Sequence, residues 1–290
     1  MTTNTLGQQP IDGIKPTDDD LQLWGVTTLL KALSAEGLVY WACQQTADAA
    51  IETADYLPQR IETEGRDEVA KWLRDARFRQ PKDRRSDADL GTAVHKWLEE
   101  YVLSGVRPDA DEEMRPMCEA LDRWLQEWQP EWHASEVTVY NPDLGYAGTL
   151  DGIFTIGGTK VVYDLKTTKN HLDSRGKRKT PYPETALQLA MYRYAPYAAV
   201  WRPRRFEKYR RRYYALSPDE VAQAATVPEV DGAVCLHVTP EDALAFPMRA
   251  DEQVFRYCRY LIGVARWHFQ ASKDAVGDPL VAPAREEVAS

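Results

Sequence analysis

The sequence has few cysteines and no closely spaced ones. Its four cysteines stand at positions 43, 118, 235 and 258 of 290 residues, and no two of them form a CxxC pair. Such spacing indicates neither a disulfide framework nor a cysteine-based zinc site. We therefore interpret all four as ordinary buried or half-buried thiols.

Long apolar segments are also absent. No stretch approaches the roughly 18 apolar residues that a membrane helix needs. The first residues, MTTNTLGQQP, have neither the basic start nor the apolar centre of a signal peptide. The sequence therefore predicts a cytoplasmic protein with no membrane contact.

Positive charge is not in excess, since the formal net charge is −9. This balance argues against a general nucleic-acid coat protein. Basic residues nevertheless concentrate in two stretches, KTTKNHLDSRGKRK at 166–179 and RPRRFEKYRRR at 202–212. An acidic chain with local basic stretches suits an enzyme that grips a polyanion at one place.

The order of apolar patterns predicts a mixed α/β fold with an N-terminal helical portion. Strand-like alternation begins near residue 135 and lasts to about 168, and the AVCLHVT stretch near 235 is a further strand. Helical patterns predict helices over 92–105, 111–132, 183–201 and 251–272. On the second of these, a stripe at helical spacing predicts core packing; its members are Leu121, Trp124, Trp128 and Trp132.

The stretch GTLDGIFTIGGTKVVYDLKTT, residues 148–168, predicts a β-hairpin that turns at Gly157-Gly158. With a two-residue turn, residues whose numbers sum to 315 face each other, so Asp151 lies opposite Asp164. Because strand side chains alternate, Lys166 shares the face of Asp164. The other face should be apolar and carry Leu150, Phe154, Val161, Tyr163 and Leu165.

Two carboxylates about 5 Å apart in a sheet need a counter-ion or a shared proton. Lys166 is one partner, and a divalent cation would satisfy both acids better, since hard cations prefer oxygen ligands. The alternative is an exposed hairpin whose acids only form a surface ion pair.

Further signals flank this hairpin. The segment GTAVHKWLEE puts His95 and Glu99 at positions i and i+4 on one helical face. A later helical segment, PETALQLAMY, puts Gln188 and Tyr192 at the same spacing. Each pair alone is usually surface or core chemistry, but here they bracket the aspartate strands.

The motifs GTAVH, GTLD, DLKT and QLAMY, in that order and with a step of 13 residues from the first aspartate to the second, resemble the RecB-like branch of the PD-(D/E)XK nucleases. The resemblance covers about residues 90–195 and extends to phage-encoded exonucleases of this branch. It implies a restriction-endonuclease-like core, in which helices flank a central mixed sheet. It also implies DNA cleavage with Mg²⁺ or Mn²⁺, in a bacterial host if the gene belongs to a phage.

The resemblance assigns roles to individual residues. His95, Asp151 and Asp164 would bind the metal, with the backbone carbonyl of Leu165 as a further ligand. Lys166 would be the motif's lysine, and Glu99 would support the helix or bind a second metal through water. Gln188 and Tyr192 would organise the site and contact DNA.

Basic residues after the hairpin are predicted to bind DNA phosphates, the second group beside aromatic rings that suit base stacking. They are Lys169, Arg175, Lys177, Arg178, Lys179, Arg204, Arg205 and Lys208. Several relatives hold an iron–sulfur cluster with one early cysteine and a tight C-terminal group of three. This chain has no such group, so no cluster is expected.

These expectations combine into one domain organisation. A flexible arm, 1–20, and a flexible tail, 273–290, would enclose a single nuclease domain, 21–272, with a helical portion at 21–89 and the catalytic core at 90–272. The leading hypothesis is a DNA exonuclease. The alternatives are a structure-specific endonuclease on the same core, a non-catalytic DNA-binding protein and an unrelated α/β protein. A homo-oligomer and a recombination or replication partner remain open.

Overall fold

The structure, a computed structural model, describes most of the chain in eight ranges. They are residues 22–33, 36–78, 87–173, 175–199, 206–207, 210–211, 213–214 and 225–277. The predicted arm at 1–20 lies outside these ranges, as do residues 278–290 of the predicted tail.

Eight α-helices lie in these ranges. Their bounds are α1 Val26–Leu30, α2 Glu36–Glu52, α3 Leu57–Glu64, α4 Arg66–Arg74, α5 Asp87–Ser104, α6 Arg115–Trp128, α7 Glu184–Arg193 and α8 Glu252–Phe269. Short 3₁₀ turns follow α4 at Asp75–Phe78 and α8 at Ala271–Asp274. Among the described helices none has both the length and the apolar character to cross a membrane.

Eleven strands are described. They are β1 Gln22–Gly25, β2 Glu131–Asn141, β3 Tyr146–Ile156, β4 Thr159–Thr167, β5 Tyr197–Ala199, β6 Phe206–Glu207, β7 Arg210–Arg211, β8 Tyr213–Tyr214, β9 Ala225–Thr226, β10 Gly232–Val238 and β11 Ala243–Met248. The main sheet has the order β11-β10-β4-β3-β2-β5-β9, and β1 joins it beside β3. The β4–β10 and β1–β3 pairs are parallel and the other main-sheet pairs antiparallel, so the sheet is mixed.

The β3–β4 hairpin forms around the two glycines as predicted. Gly157 and Gly158 have φ values of 56° and 80°, the left-handed conformations that a tight two-residue hairpin turn requires. Cα partners run from Ile156 with Thr159 to Gly152 with Tyr163, so their numbers sum to 315. The predicted register is therefore confirmed over these pairs.

Helices cover both faces of the sheet and enclose two apolar cores. The first core lies between the sheet and α1, α7 and α8, with Leu150, Ile153, Leu189 and Ile262 among its buried members. The second lies between the sheet and α5 and α6 and includes Trp124. The chain is therefore an α/β fold whose mixed central sheet is flanked by helices.

Two predicted helices end earlier than expected. Helix α6 stops at Trp128, and Trp132 lies on β2. Trp132 still packs beside the same core, because its ring lies 5.3 Å from that of Phe154, which in turn contacts Trp124. The predicted 183–201 helix ends at Arg193, since Pro196 cannot continue it and the chain enters β5.

Candidate metal centre

Strand alternation breaks in β2 and β3 at the same level of the sheet. Ala134 and Val137 on β2 both pack against the first core, as do Leu150 and Ile153 on β3. In each pair the residues are three apart, so strict alternation would place them on opposite faces. The residues between them are therefore turned towards the α5 side, where Ser135, Glu136 and Asp151 line one pocket.

Glu136 marks this break on β2. Its φ is 51°, which is uncommon for a residue other than glycine. On β3, Gly152 fits because a Cβ there would lie 2.5 Å from the carbonyl oxygen of Ala134. With this local backbone, the side chains of Glu136 and Asp151 line the same small pocket, which α5 covers.

This pocket contains a group of three side chains that could hold a metal ion. One ligand atom from each of His95, Glu136 and Asp151 lies within 4.8 Å of the others. His95 Nδ1 lies 3.4 Å from Asp151 Oδ2. Glu99 and Leu165 also line the pocket. Ligands of a Mg²⁺ ion, each about 2.1 Å from it, lie up to roughly 4.2 Å apart, so small side-chain movements would suffice.

The two aspartates do not share a face as the hairpin pattern predicted. Asp151 Oδ2 accepts a hydrogen bond from the backbone amide of Leu165 at 2.6 Å and lies on the α5 side. Asp164 contacts Gln188 of α7, on the other side of the sheet. The predicted apolar face is also wrong at Leu150, which belongs to the first core, because alternation breaks between Leu150 and Ile153.

Asp164 lies in a buried polar network with the residues of the last motif. Its carboxylate is 2% exposed. Oδ1 accepts a hydrogen bond from Gln188 Nε2 at 2.6 Å, and Oδ2 lies 2.5 Å from Lys166 Nζ. Gln188 Nε2 is also 3.1 Å from the Tyr192 hydroxyl. Gln188 and Tyr192 therefore position Asp164 and Lys166 from the α7 side of the sheet.

Burial and charge shift the protonation of these groups. Burial, together with the charge of Asp151, raises the pKa of Asp164 to about 6, although Lys166 opposes the shift. Burial tends to lower the pKa of His95, but the carboxylates of Asp151 and Asp164 outweigh it and the pKa is raised. In the same way Asp164 outweighs burial and raises the pKa of Lys166. The carboxylates therefore favour the positively charged forms of His95 and Lys166.

Two motif glycines let the motif segments meet. A Cβ at Gly91, at the start of GTAVH, would lie 2.9 Å from Thr167 Oγ1 in DLKT. A Cβ at Gly148, in GTLD, would lie 2.8 Å from Cε1 of Tyr192 in QLAMY. The structure thus brings together all four segments that carry the sequence resemblance.

The predicted phosphate-binding residues divide into different environments. Arg178 forms two hydrogen bonds with Asp242, and Lys169 Nζ lies 2.7 Å from Asp87 Oδ1. Arg175, Lys177 and Lys179 follow β4 on a short hairpin. Arg204, Arg205 and Lys208 lie outside the described residues.

Sequence reasoning missed Glu136 and His237. Glu136 stands in a strand pattern, and nothing in the sequence signals that strand alternation breaks at that position. His237 is the Cα partner of Lys166 on β10, is 2% exposed and lies with Nε2 3.1 Å from Thr168 Oγ1. A histidine inside the apolar AVCLHVT strand was the signal that could have found it.

Comparisons with known proteins give little further information. No protein-family model and no curated protein matches the sequence. Among solved structures, the chain is similar to one described as "Crystal structure of SSO0001", with 14% sequence identity over 67% of this chain and 78% of that one. The TM-score of 0.27 is too low to support a conclusion about fold or function.

Proposed function

We propose that the chain is a divalent-metal-dependent deoxyribonuclease with a PD-(D/E)XK, restriction-endonuclease-like core, and that it acts as an exonuclease. One observation carries the proposal. Four segments that are distant in sequence meet around β3 and β4: His95 lies 3.4 Å from Asp151 on the α5 side, and Gln188 holds Asp164 beside Lys166 on the α7 side. The exonuclease preference comes from the sequence resemblance alone.

The donor set suits the implied metal. One imidazole nitrogen and carboxylate oxygens fit Mn²⁺ as well as Mg²⁺. His95, Glu136 and Asp151 would hold the ion, with the Leu165 carbonyl as a further ligand from β4. Asp164, which the sequence resemblance names as a ligand, lies on the α7 side of the sheet and would instead hold Lys166. When bound, such an ion lowers the pKa of its water and polarises the phosphate.

The chain's own residues supply the remaining functions. The Leu165 amide fixes the Asp151 carboxylate through the 2.6 Å hydrogen bond, and Gln188 fixes Asp164. Lys166 lies beside Asp164, and its raised pKa keeps the ammonium group charged. This charge supports a role in orienting the phosphate and neutralising its transition state rather than in removing a proton.

The test is digestion of end-labelled single-stranded and duplex DNA with Mg²⁺, Mn²⁺ or EDTA. We expect cleavage with either metal, none with EDTA and none in Asp151→Asn. Asp143→Asn is the matched control, because Asp143 is exposed in the β2–β3 turn and the charge change is the same. Intact DNA under all metal conditions would contradict the proposal.

Closed circular DNA separates the two nuclease hypotheses on this core. An exonuclease leaves it intact while digesting its linearised form, whereas a structure-specific endonuclease cuts circles that contain its target structure. Binding of DNA and metal without cleavage of either form would support the hypothesis of a non-catalytic DNA-binding protein.

A further inference from the structure

The segment that follows β4 folds into a short basic hairpin, here defined as residues 171–173 and 175–179. Leu172 and Arg178 form an antiparallel bridge. The Lys179 amide donates to the His171 carbonyl at 2.9 Å, and the Asp173 amide to the Lys177 carbonyl at 2.8 Å. The hairpin therefore has regular backbone pairing directly after the catalytic strand.

Its tip is fixed by its own side chains. Asp173 Oδ1 accepts hydrogen bonds from the amides of Arg175 and Lys177 at 2.9 and 2.8 Å. Gly176 has a φ of 73°, which glycine adopts without strain. Because the turn is fixed in advance, binding there would lose little conformational entropy.

A latch between Arg178 and Asp242 fastens the hairpin to the β10–β11 turn. The guanidinium group donates to both carboxylate oxygens, with Nη1 2.7 Å from Oδ2. The hydroxyl of Thr239 lies 3.0 Å from Asp242 Oδ1 and steadies that carboxylate. His171 Nδ1 lies 3.1 Å from Glu241 and adds a second contact at the hairpin base.

Three basic residues of the hairpin are left for another partner. Arg175 and Lys177 are exposed and Lys179 is half-buried. Among the described residues, none of the three forms an ion pair, in contrast to Arg178 with Asp242. Lys177 and Lys179 flank Arg178, so alternation turns them away from the latch.

The hairpin base follows Lys166 directly along the chain and is held by β10. The Thr168 amide donates to the Val238 carbonyl at 3.0 Å, and the Thr168 hydroxyl contacts His237. His237 is the Cα partner of Lys166 across β4 and β10. A strand with its scissile phosphate near Lys166 can therefore continue along the hairpin.

We propose that this hairpin is a phosphate-binding finger for the DNA strand adjoining the scissile bond. Arg175, Lys177 and Lys179 contact successive phosphates, and Arg178 does not contact DNA but positions the hairpin through Asp242. The inference rests on the proposed nuclease function and adds the residues that grip the substrate.

The phosphate contacts are tested by anisotropy of a labelled DNA oligonucleotide in EDTA, at about 50 to about 200 mM salt. In Lys177→Gln and Lys179→Gln, the slope of log affinity against log salt should fall by about 1 each. Lys273→Gln, the same change in the 3₁₀ turn after α8, should keep the wild-type slope. Unchanged slopes in both hairpin variants would overturn the phosphate contacts.

The latch is tested by Asp242→Asn, which removes a negative charge. If Arg178 gripped DNA directly, freeing it would preserve or tighten binding. A positioning role predicts several-fold weaker binding and a higher KM with kcat retained. The double variant with Arg178→Gln should be no worse than either single change, since both break one contact.

Amide hydrogen exchange of residues 172–179 gives a readout independent of DNA. It should speed up in both latch variants and stay unchanged in Lys273→Gln. Arg178→Gln leaves the Asp242–Thr239 contact in place and keeps this test informative if Asp242→Asn does not fold. Unchanged exchange, or tighter binding by Asp242→Asn, would overturn the latch. A wild-type protein that binds DNA without cutting it would refute the nuclease proposal alone.

Discussion

Tyr192 packs against the backbone of Gly148. A Cβ at position 148 would lie only 2.8 Å from Tyr192 Cε1. Val26 is packed against the same position, because its Cγ2 would lie 3.0 Å from that Cβ. The Tyr192 hydroxyl is in turn 3.1 Å from Gln188 Nε2, which holds Asp164. Close packing at Gly148 is thus linked to the carboxylate through two side chains.

Gly148→Ala should therefore destabilise the fold by about 1–3 kcal/mol, the usual cost of overpacking a core. It should also lower cleavage, because Tyr192 must move and take Gln188 with it. Denaturant unfolding and DNA digestion measure the two effects. Gly263→Ala in α8 is the control: no atom lies within 4 Å of its Cβ position, so it should stabilise by about 0.5–1 kcal/mol. Equal stability of both variants would show that the fold accommodates a side chain at position 148 without cost.

Asp164→Asn should stabilise the metal-free protein at neutral pH. The folded pKa of Asp164 is raised to about 6 from 3.8, so stability falls as the pH rises between these values and the penalty persists above them. Two pK units correspond to on the order of 3 kcal/mol, which the amide removes.

Urea unfolding in EDTA at about pH 7.5 and about pH 4.5 measures this effect. The gain should be large at the higher pH and small at the lower one. A gain that does not change with pH would show that the carboxylate ionises in the fold as it does in the unfolded chain. Asp143→Asn serves as the exposed control.

Glu136→Gln should weaken Mn²⁺ binding although the residue belongs to none of the four motifs. Its carboxylate shares the pocket with His95 and Asp151, so its loss should cost at least the roughly 10–100-fold typical of supporting residues. Isothermal calorimetry measures the affinity. Glu100→Gln is the control, because Glu100 pairs with Lys96 on α5 and is outside the pocket group. Wild-type affinity in Glu136→Gln would remove Glu136 from the ligand set.

Lys166→Ala should abolish cleavage while leaving DNA affinity within a few-fold of wild type. The ammonium group lies 2.5 Å from Asp164, and in the proposed reaction its loss removes the charge that neutralises the phosphate. Loss of a preorganised electrostatic group costs about 10²–10³ in kcat. Single-turnover cleavage and anisotropy in EDTA separate the two quantities. Normal turnover would exclude Lys166 from the reaction.

Local patterns in the sequence determined much of the framework. Two glycines with left-handed conformations fix the β3–β4 register, since a two-residue turn leaves no freedom in pairing. Periodicity located α8 to within three residues and the C-terminal end of α5, although α5 begins at Asp87 rather than near Thr92. It also placed His95 and Glu99 on one helical face. It failed at the ends of α6 and α7, because a helical stripe such as Leu121 to Trp132 can continue apolar into a strand.

The tertiary structure alone decided which way the key side chains point. A break in alternation on both β2 and β3 turns Asp151 and Glu136 towards α5, and Glu136 has a φ of 51° at this break. Arg178 joins Asp242, 64 residues away, because the fold brings the β10–β11 turn beside the hairpin. A pattern with period two records which residues alternate, but it cannot record where packing between distant segments interrupts that alternation.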